Sequence, residues 1–342
     1  MSSFGPDSVP LWHPDMNPGM AGYDGTVVVE TPAERLCFSG ASAALVLAVA
    51  RRADGTRAMP QLALEAACSE AAVRSHLAFL REAGVVLDLR DYRSGWPTEQ
   101  ALEKLRAAAR FHNLRVAANP VLQQLFSGQA SREVFLGFAI EFYFYVRAAT
   151  TYMAQGIARF DHDAATMAPY WRHFAEEAKH HELFEEGLSA TGVAAARLRP
   201  ICAIATTTAL INFLFERASR TLVEYGSLFA VMQPPDNAAP GARVETYERL
   251  RRCYPFAQKI VDALERHDAI DLGAGHRSWA LEQHLRRSPR VSADDMGRAY
   301  VTMRDAACFF IMFFDGIRDS YQIGTLAQWK QLANVAVDAA LP

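Results

Sequence analysis

The rhythm of apolar and polar positions changes once along this chain, near residue 97. Before that point, short alternating runs are interleaved with short helical ones. Val27, Val28 and Val29 begin a β-like run that resumes over Arg35 to Phe38. An alanine-rich helix follows over Ala41 to Arg52, then an Asp54-Gly55 turn, then Met59 to Ala67. Ser69 is a good N-cap and, with Glu70, opens a second helix closed by Gly84. Val85 to Leu89 and Tyr92 onward suggest a small hairpin. Helix, turn, helix and wing together predict a winged-helix module over residues 26–97. Residues 1–25 hold Pro6, Pro10, Pro14, Pro18 and several glycines without periodicity, which predicts an extended arm, packed on the body or disordered.

From residue 98 to 342 the pattern is helical almost throughout. Thr98 to Phe111 is an amphipathic connector, and Asn119-Pro120 starts the next helix. Ser131 caps a long apolar helix containing Glu141. Met167 to Leu188 reads as one helix, and Leu198 to Met232 as another or as a broken pair. Residues 233–241 form a Pro-rich surface loop. Thr246 to Glu265 leads into a helix over Leu264 to Leu285, and Ser292 to Tyr321 closes the chain with a Phe-rich helix. No strand of any length is expected here. The predicted architecture is an all-α bundle of about seven helices behind a small α+β module.

Composition narrows the function classes. Of 342 residues, 51% are hydrophobic, which supports a folded globule, and the formal charge of −3 gives no general attraction for nucleic acid or an acidic membrane. Residues 1–100 carry twelve acids and eight arginines with no lysine, a net of −4. That balance argues against DNA binding by the winged helix, because phosphate contacts dominate affinity there. The five cysteines are scattered and form no CxxC pair, which argues against a thiolate zinc site and a disulfide framework and fits a reducing cytoplasm. The start lacks the pattern of a signal peptide. No apolar window is long enough to span a bilayer.

Chemistry enters through three helical stretches. Glu177 and His180 stand three apart, so one helix face presents a carboxylate and an imidazole together. Upstream, Glu141 is the one acid in an aromatic run, "FLGFAIEFYFYV"; buried there it needs a partner, either a metal ion or an arginine such as Arg147. Downstream, His267 and Asp271 stand four apart, with His276 just beyond. A mixed oxygen and nitrogen set without thiolate suits iron or manganese. His181 with Glu177 is also a good helical pair, and Tyr145 could hydrogen-bond a ligand.

These stretches resemble the heme-oxygenase-like diiron oxidases and oxygenases. The resemblance covers roughly Arg106 to Leu326. It rests on "EFYFYVRAATTYMAQGIARF", "YWRHFAEEAKHHELFEEGL" and "LERHDAIDLGAGHRSWALEQHL" in that order. Position by position it implies Glu141, Glu177, His180, His267 and Asp271 as metal ligands. His276 departs from the family pattern: it follows Asp271 by five, about 140° off the Asp face of a regular helix. Local unwinding at Gly273 and Gly275 would restore it as a ligand. Where some members supply a further carboxylate this chain has Gln233, and Glu224 higher on the same helix could compensate.

The resemblance implies a non-heme oxidoreductase that uses two irons per chain, dioxygen and an external reductant. N-oxygenation, desaturation and oxidative C–C cleavage all lie within its range. The front module also resembles the peptide-binding winged helix of enzymes that modify ribosomally made peptides, through its leading strand pair, its "DGTR" turn and the end "VRSHLAFLREAGVVLDL". In that family a leader peptide is clamped beside the strands by β-strand addition. The implied substrate is then a small molecule or a peptide-borne residue in natural-product biosynthesis, and the expected assembly is a homodimer. Two rivals stand beside this reading. One is a metal-free enzyme of the same superfamily, thiaminase-like or quinone-forming; the other is a DNA-binding regulator with a ligand-sensing bundle.

Overall fold

The computed structural model describes residues 4, 8–12, 18–21, 25–30, 35–83, 85–89, 95–193, 202–232, 240–273 and 280–322. They fall into two compact units, residues 1–111 with 288–297 and residues 112–287 with 298–342. The division drawn from sequence at residue 97 thus lies short of the end of the first unit, which also takes in 98–111 and a segment from far down the chain.

The first unit begins with β1 (Pro10–Trp12) and β2 (Pro18–Ala21). Of the two alternatives for the extended arm over residues 1–25, its described parts follow the packed one, with two short strands in it. Each proline is the first residue of its strand, where a missing N–H interrupts no ladder. Phe4 and Trp12, 1% and 8% exposed, fix this segment in the core. β3 (Thr26–Glu30) and β4 (Arg35–Phe38) follow, and the sheet order is β2-β3-β4, antiparallel throughout. Val27 and Val29 alternate inward on β3 and are fully buried. Three helices pack with them: α1 (Gly40–Arg52), α2 (Met59–Glu65) and α3 (Glu70–Glu82). As the sequence indicates, Ser69 Oγ caps α3 by accepting from the Ala72 amide at 3.2 Å. Val73, Leu77 and Leu80 form its buried stripe.

The hairpin expected after α3 does not form among the described residues. β5 (Val86–Asp88) pairs with β1, and β6 (Trp96–Pro97) pairs with β7 (Arg290–Val291). The strand that satisfies β5 comes from the opposite end of the unit, which local pattern does not reveal.

The rest of the chain is helical: α4 (Thr98–Ala117), α5 (Pro120–Ser127), α6 (Arg132–Arg159), α7 (Ala164–Glu177), α8 (His180–Ser189), α9 (Ala205–Ala218), α10 (Leu222–Met232), α11 (Pro240–Cys253), α12 (Gln258–Gly273), α13 (Ala280–Leu285) and α14 (Ala293–Tyr321). Side chains cap several starts. Asn119 Oδ1 accepts from Val121 and Leu122 at 2.9 and 3.1 Å, Ser131 Oγ from Val134 at 3.3 Å, and Asp163 Oδ1 from Thr166 at 2.9 Å.

The expected seven long rods are more segmented than their sequence suggests. The stretch 246–265 is interrupted by a 3-10 turn at Pro255–Ala257, because Pro255 supplies no amide to continue α11. The stretch 198–232 resolves into α9 and α10. The helix expected over 167–188 is two helices, broken at Ala178–Lys179, where Lys179 leaves helical geometry with φ −126° and ψ 4°. Nothing in local propensity explains that break; it falls two residues before His180, which is 4% exposed.

Candidate metal centre

Within the second unit, α12 lies along α8, and α6 packs against α7 and α8. This brings together Glu177 from the last turn of α7, His180 from the first turn of α8 and His267 from α12. One ligand atom from each lies within 4.8 Å of the others. Glu177 Oε2 is 2.9 Å from His180 Nδ1, and the rings of His180 and His267 are 4.7 Å apart. On the other side of the carboxylate, His173 Nε2 stands 3.6 Å from Glu177 Oε1.

The surroundings are aromatic. The His267 ring meets Phe142 edge-on at 6.0 Å and Phe184 at 5.6 Å, so apolar faces fix its orientation. His173 packs on Phe229 at 4.3 Å, and Tyr225 packs on both Phe229 and Tyr170 at 5.2 Å. Burial raises the Tyr152 phenol well above its ordinary value, and the nearby Glu177 charge adds to the rise. Tyr225 is raised for the same reasons, so both are protonated phenols at any physiological pH. Burial works to raise the Glu177 carboxyl as well, but hydrogen bonds and charge from His173 and His180 outweigh it and hold the group well below the carboxylate range.

One carboxylate and two imidazoles, with no thiolate, form the donor set preferred by non-heme iron, with positions left open for other ligands. Mutual spacings under 4.8 Å are what a single ion with bonds of about 2.0–2.2 Å can bridge after small side-chain adjustment. The residues present therefore fit one ion.

The remaining sequence candidates are placed differently. Glu141 is fully buried on α6 as expected, yet it stands outside this group. Its Oε1 accepts from the Tyr321 hydroxyl at 2.7 Å and its Oε2 from the Ile204 amide at 3.1 Å. Burial raises its pKa, while Thr207, Tyr321 and Ile204 pull the other way. The arginine partner considered for it is not used; Arg147 is exposed. Glu224 is buried too, but Arg217 and Thr221 hold it. His181 is half-buried and outside the group, and its Nδ1 finds no hydrogen-bond partner among the described residues. Tyr145 is a buried ring packed on Phe142 and Phe310. Asp271 lies on α12 one turn after His267, and nothing is described of its side chain; His276 and Gln233 lie outside the described residues.

Sequence reasoning missed His173 and Tyr321 as partners of the two central acids. His173 precedes Glu177 by four, a helical pairing that was open to inspection. Tyr321 is separated from Glu141 by 180 positions, and no local signal links them.

No family model matches the chain, and no curated protein matches it. Solved structures do. A domain of unknown function with a heme oxygenase-like fold from Shewanella denitrificans is 15% identical, with a TM-score of 0.53, covering 70% of this chain and 98% of that one. The fold is heme-oxygenase-like. A TenA homolog from Pseudomonas syringae pv. tomato is 14% identical, with a TM-score of 0.46 over 64% of this chain and 93% of its own. A TenA homologue from P. horikoshii is 14% identical, with a TM-score of 0.45 over 68% and 99%. At 15% identity the likeness to the Shewanella denitrificans domain fixes architecture and leaves activity to the site. No helix among the described residues is long and apolar enough to cross a membrane.

Proposed function

We propose that this protein is a non-heme iron oxidoreductase that uses dioxygen. The observation that carries the reading is the convergence of Glu177, His180 and His267 from three helices within 4.8 Å, inside an aromatic shell. When bound there, iron supplies one-electron and dioxygen chemistry that no side chain can. The chain supplies the rest. Glu177 stays ionised under its two histidine neighbours and so is ready as an anionic ligand. Phe142 and Phe184 hold the His267 imidazole and exclude water from that side. Tyr152 and Tyr225 provide neutral phenols near Glu177, and Tyr170 packs on Tyr225.

A second iron would draw on Asp271, His276 and Glu141. Manganese would suit the same donors. Electrons come from an external reductant. The substrate is read as a small molecule or a peptide-borne residue. For the peptide, the first unit offers β4, which among the described residues has a strand partner on one side only, with Phe38 set edge-on to the half-exposed Phe79 of α3.

Anaerobic reconstitution with ferrous iron, followed by metal analysis of the desalted chain, tests the reading. Bound iron that H267A abolishes supports it. An iron content of zero after reconstitution with ferrous and manganous salts would end it, and would leave the His173–Glu177–His180 cluster as the acid–base centre of a metal-free enzyme. A salt-dependent gel shift with duplex DNA would instead favour a regulator.

A further inference from the structure

Five tyrosines are fully buried among the described residues: Tyr152, Tyr170, Tyr225, Tyr254 and Tyr321. Three have acceptors for their phenol protons. Tyr170 donates to the Leu222 carbonyl at 3.3 Å, Tyr254 to the Leu125 carbonyl at 3.1 Å and Tyr321 to Glu141 at 2.7 Å. The hydroxyls of Tyr152 and Tyr225 find no partner at hydrogen-bond distance among the described residues. Tyr145 is near enough to Tyr152 to pull its pKa back a little, but it stays outside that distance. Leaving a buried donor unpaired is costly, so two in one place call for a shared partner.

The pair stands beside the candidate centre. Both phenols pack on Phe229, Tyr152 at 6.4 Å and Tyr225 at 5.2 Å, and His173, the neighbour of Glu177, packs on the same ring at 4.3 Å. The Glu177 charge reaches both hydroxyls. Phe160 meets Tyr225 edge-on at 6.2 Å and Phe215 meets Tyr152 edge-on at 6.0 Å; these two rings and Phe229 are half-buried. Side chains at the edge of the core thus pack over the pair, and a ring can turn without unfolding a helix.

Charge decides what fits two phenol protons. An ammonium has no lone pair to accept them. A carboxylate or phosphate would accept, but it would be desolvated beside the Glu177 anion, and with an ion in place it would be drawn to that ion instead. A neutral oxygen with two lone pairs satisfies both hydroxyls and brings no charge. We propose that Tyr152 and Tyr225 are substrate-binding residues that together grip one neutral carbonyl oxygen, so that the substrate is an apolar molecule or peptide segment carrying an amide or ketone. The surrounding rings suit an apolar neighbour of that carbonyl. The inference rests on the metal-centre reading above, which gives a substrate its reason to lie here. The contact is non-covalent, and each phenol keeps its proton.

Calorimetric titration of the metal-free full chain with three probes of matched size tests this: phenylacetamide, phenylacetate and phenethylamine. Wild type should bind phenylacetamide at least about 10-fold more tightly than either charged probe. Y152F and Y225F should each weaken the amide by about 2- to 12-fold. Their melting temperatures should stay the same or rise, because the hydroxyl removed has no partner to lose. No binding of phenylacetamide, or equal affinity for the three probes, overturns the inference. Lower melting temperatures in both variants with amide binding unmoved would reveal an ordered water only, and overturn it as well. Because no metal is added, failure here with iron still bound in a reconstituted sample spares the centre, whereas amide selectivity without any iron binding spares the phenol pair and ends the oxidoreductase reading.

Discussion

Glu224, 3% exposed, is neutralised by Arg217, whose Nη1 stands 3.2 Å from its Oε1. The same guanidinium reaches Asp305 Oδ2 at 3.1 Å, and Thr221 donates to the other Glu224 oxygen at 3.0 Å. Glu224 is thus a fixed end of an ion-pair network tying α9 and α10 to α14, and Arg217 is engaged in it. R217A leaves this buried carboxylate with the Thr221 hydroxyl and, among the described cations, the exposed Arg220 at 3.8 Å. We expect a loss of about 3 kcal/mol in urea unfolding. A loss under about 0.5 kcal/mol would mean that water already carries this charge.

Removing a ligand from the candidate centre should act on metal affinity before it acts on folding. Losing even a supporting residue of a metal site costs about 10- to 100-fold, so H267A should weaken the first ion by at least about 100-fold. H162A, at an exposed position, should leave it unchanged. Calorimetric titration reads both, and equal affinities for H267A and wild type would dismiss His267 as a ligand.

Gly156 supplies a case where two effects oppose. In an open helix, glycine to alanine gains roughly 1 kcal/mol. Here an added Cβ would come within 2.5 Å of the Ala218 carbonyl oxygen, which is backbone and cannot swing aside. G156A should therefore destabilise by about 1–3 kcal/mol, seen as a lower melting temperature. A gain in stability would show that α6 and α9 part without cost.

Residues 1–12 should be needed for the first unit to fold. Their deletion removes β1, uncovers the edge of β5 and takes out the buried Phe4 and Trp12. The loss should be about 3 kcal/mol or more, from two large side chains at about 1.5–3 kcal/mol each. Hydrogen exchange over residues 35–83 would register it, and unchanged protection there would return the segment to the status of a loose tail.

Asp54 gives a weak acid sensitivity with a definite sign. Hydrogen bonds from Thr56 and Arg57 lower its pKa from 3.8 to about 2. A depressed folded-state value adds stability above pH 3.8 that fades as the pH falls toward 2. D54N should flatten the stability profile in that window and nowhere else. The group is exposed and screened, so added salt should shrink the difference.

Much of the second unit is readable from the chain because its signals are local. Ser131, Asn119-Pro120 and the apolar run around Glu141 announce their helices, and the three-residue step from Glu177 to His180 announces a pair. The first unit hides more. Proline-rich text at Pro10 and Pro18 looks like a coil until its strand partners, near residues 28 and 87, are known. The Tyr321–Glu141 bond and the Arg217–Asp305 contact join positions 180 and 88 apart, and no window of sequence spans them. The interruption at Ala178–Lys179 carries no glycine or proline, and its residues favour a helix, so no local signal announces it.

That interruption has a mechanical result. On one continuous rod, Glu177 and His180 would keep the spacing of the helical repeat whatever the rod did. With a joint between them, the acid rides on α7 and the imidazole on α8. Any change in tilt between those two rods opens or narrows the jaw, and so sets the bite angle offered to whatever lies in it.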